Sequence, residues 1–517
     1  MPVEMPSRDD LKSIAEAHHF TLTATEVDAY IALIELGLGG FDRLDTLDEP
    51  ILPVTCPRGP VGHRPTREEN PYGAWAWCAT VKGADSGPLR GKRVAIKDVV
   101  AVAGMPMLNG SAVLEGFAPS ADATVVTRIL DAGGDIVGKA NCESFSFSGG
   151  SNSSFPEPVR NPRNPQYMAG GSSSGSAALL AYGACDLAIG GDQGGSIRIP
   201  SSWCGVVGLK PTFGLVPFTG AGIAEPSLDT IGPMGTSVFD VATLLDVIAG
   251  PDGLDSRQGR TPAVFPSVTA ALKQDCKGLR IGVLDEGFGW PQSQRLVDES
   301  VEAAGDVFRE LGATVSRVSV PIHRDAPVIF AGVATEGTWT AMVRDGGIGR
   351  GWLGYCDTRY PSFFAEALRR RANDLPPSLK LTILLGSYLS ERYHGRYYGR
   401  AQNLRRALTQ AYDEALRLVD VLLMPTTPQT AVPFDASRSF TEELLATDPA
   451  AQNTSAFNLT GHPATSVPCG TSGDLPIGMM LVGRHFEDAT TLGAAYAYEQ
   501  ATQRRAPAFC SAGTNSV

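Results

Sequence analysis

Two runs of small residues bracket the stretch of this chain best suited to chemistry. Gly170-Gly-Ser-Ser-Ser-Gly-Ser176 and Gly190-Gly-Asp-Gln-Gly-Gly-Ser-Ile-Arg198 flank an apolar segment, Ala177 to Ala181. A flexible linker would not hold a helix-length apolar segment between its glycines, so the stretch reads as turn, buried helix, short strand, turn. Glycine admits backbone angles and close approaches that other residues do not. A serine in such a turn can face a substrate while neighbouring backbone N–H groups point at the same spot. Acyl transfer needs that arrangement, a hydroxyl nucleophile beside preorganised donors. The same composition also suits a surface loop without chemistry.

Three further groups bear on the choice. Lys97 ends Val94-Ala-Ile-Lys97, where a lysine either reaches solvent or is desolvated enough to stay neutral and act as a base. Gly171-Ser-Ser-Ser-Gly175 fits Gly-x-Ser-x-Gly and nominates Ser173 as an α/β-hydrolase nucleophile, but that motif must follow a strand. The ten residues from Arg160 to Ala169 contain two prolines and no β pattern. Nor do the downstream histidines, His323, His394, His462 and His485, show a carboxylate companion in the sequence. Cys142-Glu143 with Lys97 suggests a Cys/Glu/Lys site, for which a buried structural cysteine is the plainer account.

Elements that could carry these residues follow from residue periodicity. From Gly91 the chain alternates strands with helices: Arg93–Ile96, a helix capped by Asp122 and carrying Val125, Val126, Ile129 and Leu130, then Ile136-Val137. The grammar recurs at Leu279–Leu284, Val297–Leu311 and Thr314–Val320, with later strands at Val421–Met424, Thr465–Pro468 and Ile477–Val482. This predicts an α/β fold, a mixed, largely parallel central sheet covered by helices. Ahead of it, residues 9 to 40 read as helical. Asp10 caps the first segment, Thr23-Ala-Thr-Glu26 is a capping box, and Val27, Tyr30, Ile31, Ile34 and Leu38 form a stripe ended by Gly39-Gly40. Residues 41 to 90, rich in Pro, Gly, Asp and Thr, read as a crossing linker. The expected domains are a helical extension with linker over 1–70, which docks on the main body or on a second copy, and a catalytic domain over 71–517.

Composition narrows the partners. The 43 basic and 55 acidic side chains leave a formal charge of −12, which argues against nucleic acid and anionic membranes. No run of eighteen apolar residues is present, and the first ten residues lack the basic-then-apolar pattern of a signal peptide. The nine cysteines are scattered with no Cys-x-x-Cys. A cytoplasmic chain with reduced thiols and no zinc site is expected.

Taken together, Lys97, the serine-rich run through Ala177 and Gly191-Asp-Gln-Gly-Gly-Ser-Ile-Arg198 resemble the amidase signature family. The resemblance continues through Pro200–Gly214, Leu228-Asp-Thr-Ile-Gly-Pro233 and Asn458-Leu-Thr-Gly-His-Pro463, and so spans about Gly91 to Gly483. The helical extension and Gln193 look most like the enantioselective amidases of nitrile-degrading pathways, in which an N-terminal helical domain serves dimerisation. The family's two serines stand 24 residues apart, as Ser172 and Ser196 do. The resemblance therefore implies Ser196 as nucleophile, Ser172 as bridging serine after a cis peptide bond, and Lys97 as base. It implies an oxyanion site on the backbone of Gln193, Gly194, Gly195 and Ser196. It also implies a substrate pocket near Phe145, Ser146, Phe147, Ser173 and Phe330, with no metal or cofactor. Ser174 and Gln193 depart from the usual residues and bear on the shape of the pocket. The implied activity is hydrolysis of small carboxamides by a homodimer, with esters, carbamates and hydrazides open as further substrates. Two alternatives are the amide-donating component of a tRNA-dependent amidotransferase and a silent binding protein on the same fold.

Overall fold

The computed structural model describes residues 3–59, 61–347 and 353–503. The chain forms two compact units, Met1–Pro53 and Val54–Val517.

In the first unit, α1 (Arg8–Ala17) and α2 (Ala24–Leu44) each open with a reciprocal cap, Ser7 with Asp10 and Thr23 with Glu26. The Thr23 box is as expected. Asp10 is instead the returning acid of a box whose cap is Ser7, because its carboxylate sits one turn inside the helix. Helix α2 also runs through Gly37, Gly39 and Gly40 to Leu44, past its expected stop. A glycine costs about 1 kcal/mol relative to alanine but keeps its backbone hydrogen bonds. Of the apolar stripe, Val27 is buried, Ile31, Ile34 and Leu38 are half-buried and Tyr30 is exposed.

The second unit is built on one sheet of 11 strands. In chain order they are β1 (Trp75–Val81), β2 (Arg93–Lys97), β3 (Asp135–Ala140), β4 (Leu187–Asp192), β5 (Val207–Lys210), β6 (Thr230–Gly235), β7 (Arg280–Leu284), β8 (Thr314–Val318), β9 (Val421–Pro425), β10 (Ala464–Ser472) and β11 (Leu475–Val482). Across the sheet they run β1-β3-β2-β4-β6-β5-β10-β11-β9-β7-β8. The mixed α/β sheet expected from the alternation is present. Its parallel pairings are β3-β2-β4 and β9-β7-β8. The strands between these runs pair antiparallel, β10 and β11 through a tight hairpin. Strand β1 lies within the stretch expected to be linker and pairs antiparallel with β3. The helix after Ala123 has no side-chain cap, and Asp122 instead accepts the Ala103 N–H at 2.8 Å.

Two apolar clusters use the alternation of the strands. Val94 and Ile96 of β2, and Leu187 and Ile189 of β4, belong to the large core with Val125, Val126 and Ile129. Ala95 and Ala188 belong to the other, with Ala177–Leu180 of α3 (Ser174–Ala181). Successive side chains on a strand face opposite ways, so Lys97 shares the face of Ala95, toward α3. Four later helices carry residues that bear on the site: α4 (Arg198–Cys204), α5 (Ala326–Thr338), α6 (Arg396–Leu418) and α7 (Ser455–Thr460). Among the described residues, no helix is long and apolar enough to cross a membrane.

Candidate active site

The register of β2 carries Lys97 into the interior, where its side chain is wholly buried. Its Nζ donates to Ser172 Oγ at 2.7 Å and lies 3.2 Å from the Gly191 carbonyl. Burial pulls the ammonium down to about 8, opposed in part by Cys142, Asp192, Asp229 and Glu143. A lysine so desolvated is neutral in roughly one molecule in ten at pH 7 and in most molecules above about 8, far more often than an ordinary lysine, which is what a base needs. Ser172 precedes α3, follows a cis Gly171–Ser172 bond and is also fully buried. Ser196 follows β4 and is 7% exposed. The lysine thus lies at the sealed end of the group and Ser196 at its open end. Among the described residues the Ser196 hydroxyl has no hydrogen-bond partner. The two serine turns are joined directly, since Ser173 N–H donates to the Ser196 carbonyl at 3.0 Å.

A buried ion pair shapes the turn that holds Ser196. Asp192 Oδ1 accepts the Gly195 N–H at 2.7 Å, and Oδ2 accepts the Ile197 N–H at 3.0 Å. The Arg198 guanidinium closes on both oxygens, at 2.9 and 3.0 Å. Burial alone would raise this carboxyl, but Arg198 and the hydrogen bonds hold it far below the usual carboxylate range. Asn458 of α7 locks the pair, donating to Asp192 and accepting from Arg198 at 2.7 Å. Thr454, just before α7, donates to the Gly194 carbonyl at 2.7 Å. Gly195 has φ +134°, and a Cβ there would fall 2.2 Å from Thr454 Oγ1, so only glycine fits. One consequence corrects the sequence expectation. The Gly195 N–H is already committed to Asp192, which leaves the N–H groups of Gln193, Gly194 and Ser196 as the donors without an acceptor among the described residues. Asp192 and Arg198 lie within the glycine-rich motif, yet nothing in the motif itself assigns them a role. Asn458 and Thr454, some 260 residues on, give no local signal.

The remaining candidates divide. Ser173 does not face substrate: its buried hydroxyl donates to the Gly191 carbonyl at 3.0 Å and accepts the Gly191 N–H at 3.1 Å. The expectation that it binds substrate is therefore corrected, and the α/β-hydrolase alternative loses its nucleophile for the same reason. Cys142 is buried with its thiol pushed up to about 12, chiefly by burial, which suits a structural residue rather than a nucleophile. Glu143 is enclosed by Ser153 and Ser154, and its N–H donates to the Ser172 carbonyl at 3.1 Å. The loop that follows, with Phe145, Ser146 and Phe147, accordingly runs beside Ser172. Ser146 sits at φ +62° with its hydroxyl buried and unpartnered. Phe145 is buried and Phe147 half-buried in an apolar cluster with Phe364. Phe330 of α5 stands over Gly194, its ring tip 2.8 Å from where a Cβ would be. The Gln193 side-chain amide lies by Gly191 and Lys97, with Oε1 buried and unpartnered. Ser174 Oγ is likewise buried without a partner at the start of α3. Two histidines do meet a carboxylate, contrary to the sequence expectation: His462 and His485 converge on Asp413. Among the described residues that trio is the one grouping of His, Cys, Asp or Glu whose ligand atoms converge. None of its members belongs to the serine–lysine site.

The chain as a whole is similar to known proteins. A family model described as Amidase matches residues 72–492. The chain is similar to an enantioselective amidase of Rhodococcus rhodochrous, 42% identical over 96% of this chain and 96% of that protein. Its structure is similar to that of a glutamyl-tRNA(Gln) amidotransferase component from Thermotoga maritima, with TM-score 0.70, 31% identity, and coverage of 83% of this chain and 88% of that one. It is also similar to the peptide amidase of Stenotrophomonas maltophilia, with TM-score 0.69, 30% identity, and coverage of 81% and 84%.

Proposed function

This chain belongs to the amidase family, which carries the amidase signature, and from that premise we propose that it hydrolyses small carboxamides to a carboxylic acid and ammonia through Ser196, Ser172 and Lys97. The observation that carries the reading is the 2.7 Å bond from a fully buried Lys97 to Ser172 Oγ, which gives a serine site a base without histidine. A serine hydroxyl is a weak nucleophile until a base takes its proton. Ser196 Oγ attacks the carbonyl carbon as its proton passes to Ser172 and the Ser172 proton passes to neutral Lys97. The carbonyl oxygen, now an anion, is held by the N–H groups of Gln193 and Gly194, and losing one such donor costs about 3 kcal/mol. The C–N bond then breaks as Lys97 returns a proton through Ser172 to the nitrogen, and ammonia leaves. Water attacks the acyl-serine by the same relay and frees the acid. Gln193 Oε1, a buried acceptor without a partner on the turn that follows β4, takes a hydrogen bond from the substrate's N–H₂. Phe330 and Phe147 supply apolar contact for the acyl group.

The compartment and assembly follow the same reading. Cys142, Cys185, Cys204 and Cys276 are buried free thiols, which fits a reducing cytoplasm, and the helical extension over residues 1–70 holds two copies together as a dimer. The likeness to an amidotransferase component supports a second reading, in which this chain releases ammonia for a partner. Purified chain assayed alone on aryl and aliphatic carboxamides separates the two. Turnover without partner or tRNA, lost in Ser196→Ala, fits the amidase. Activity that appears only with partner proteins fits the alternative. Ser196→Ala within tenfold of wild type defeats both.

A further inference from the structure

Asp413 of α6, His462 in the connection from α7 to β10, and His485 after β11 come from three separate segments and meet at one point. His462 Nε2 is 3.1 Å and His485 Nδ1 3.8 Å from the same oxygen, Asp413 Oδ1. All three ligand atoms lie within 4.8 Å of one another. An ion bonded at about 2.0–2.2 Å to each needs them roughly 3–3.6 Å apart, so small side-chain rotations close the set. The outward nitrogens are fixed by one residue. His485 Nε2 is 2.8 Å from the Thr460 carbonyl, and His462 Nδ1 is 2.9 Å from Thr460 Oγ1. A carbonyl only accepts, so His485 carries its proton on Nε2 and, when neutral, turns a bare Nδ1 lone pair toward the Asp413 carboxylate. His462 Nε2 meets that carboxylate at 3.1 Å, and a bound cation would take the place of the proton between them while also engaging the His485 lone pair. A second-shell bond that sets the imidazole tautomer is the usual accompaniment of a metal-bound histidine.

We propose that Asp413, His462 and His485 bind one divalent transition-metal ion, with zinc favoured by the ligand set. Lys210 and Arg260 stand near His485, and Arg417 near Asp413. One carboxylate among these cations is a poor holder for calcium or magnesium, which are bound by several oxygens. Two imidazoles and one carboxylate suit zinc and its neighbours. The role follows from Thr460, which ends α7, the helix whose Asn458 locks Asp192 to Arg198. An ion here fastens the end of that helix and raises the stability of the fold, and the serine–lysine chemistry runs without it. The inference rests on these side chains and not on the proposed reaction.

The test uses full-length protein stripped by a chelator, desalted, and titrated with Zn²⁺ while the thermal midpoint is followed, and with Co²⁺ while its visible ligand-field bands are followed. Saturation at one ion per chain with a raised midpoint is expected. Asp413→Ala and His485→Ala should each weaken binding at least a hundredfold, and Thr460→Val about tenfold, the scale of a lost orienting bond. Asp413 is half-exposed, so Asp413→Ala spares the core and stands as the decisive variant if His485→Ala fails to fold. Binding of less than one equivalent, or a spectrum unchanged in Asp413→Ala because the ion sits on exposed histidines such as His18, His19 or His63, overturns the proposal. Turnover of stripped wild-type protein should stay within twofold at 25 °C. Loss of turnover that zinc restores would overturn the assignment of a purely stabilising role.

Discussion

Replacing Lys97 by methionine should cut turnover steeply and, unusually for a buried polar residue, leave the protein about as stable at neutral pH. The lysine's ordinary value of 10.5 falls to about 8 in the fold. At 1.36 kcal/mol per unit, keeping a proton on the buried amine costs the fold about 3 kcal/mol. The sign follows from linkage. A lysine whose value is lowered on folding is destabilising in full below about 8, where folded and unfolded chains both carry the proton, and the cost fades as pH rises toward 10.5. Lys97→Met removes that cost at pH 7. It also removes the bonds to Ser172 and Gly191, worth about 1 kcal/mol each and nearly independent of pH. Relative to wild type, the variant should therefore lose roughly 2–3 kcal/mol between pH 7 and pH 10, which urea unfolding of both proteins at each pH measures. Wild-type kcat should rise through about 8 to an alkaline plateau. The variant should lose that rise and about 10²–10⁴-fold in rate, the usual contribution of a general base. It should lose more on an amide than on the matching activated ester, whose leaving group needs no proton. A stability difference that stays constant from pH 7 to pH 10 would show that Lys97 titrates normally. A retained pH profile in Lys97→Met would remove it as the base.

Ser173→Ala should cost roughly 1–3 kcal/mol of stability, because both bonds to Gly191 go, and should keep turnover within tenfold. Inactive but fully stable protein would restore Ser173 as a reacting group. Gln193→Leu should lower kcat/KM on a carboxamide about 3–10-fold, the worth of one neutral hydrogen bond, and leave the methyl ester of the same acid nearly unchanged. Equal losses on both would mean that Oε1 does not read the N–H₂ group. Deleting residues 1–70 should turn a dimer into a monomer in sedimentation before it alters kcat. A full-length protein that sediments as a monomer refutes the dimer.

Much of the site was legible because its parts are local. The glycine and serine runs announce turns, the apolar segment between them announces a buried helix, and the spacing of Ser172 and Ser196 fits the family resemblance. The side-chain alternation of β2 places Lys97 on the side of α3. What stayed hidden depends on bonds that no spacing records. Ser173 and Ser172 are adjacent and chemically identical, and what separates them is tertiary: Ser173 pairs with Gly191 and Ser172 with Lys97. The Gly195 N–H looks like any other donor in its turn until Asp192 takes it. Strand β1 was obscured by the Pro- and Gly-rich residues around it, and α2 outran its glycines because no proline stops it. Asp413 gave no sign of its histidines, since the three meet only through tertiary packing.

The lock on the Ser196 turn has a bearing on synthesis. Lys97, Ser172 and Ser196 all emerge from the ribosome early, whereas Asn458 follows Arg198 by 260 residues. At about 5–20 residues per second, the turn waits roughly 10–50 s for the residues that hold Asp192, Arg198 and Gly194 in place. A nascent or prematurely released chain ending before Thr454 contains Lys97, Ser172 and Ser196 and lacks the bonds from Thr454 and Asn458 that brace the Ser196 turn. The distant clasp therefore delays completion of the Ser196 turn until the residues around Asn458 have been made.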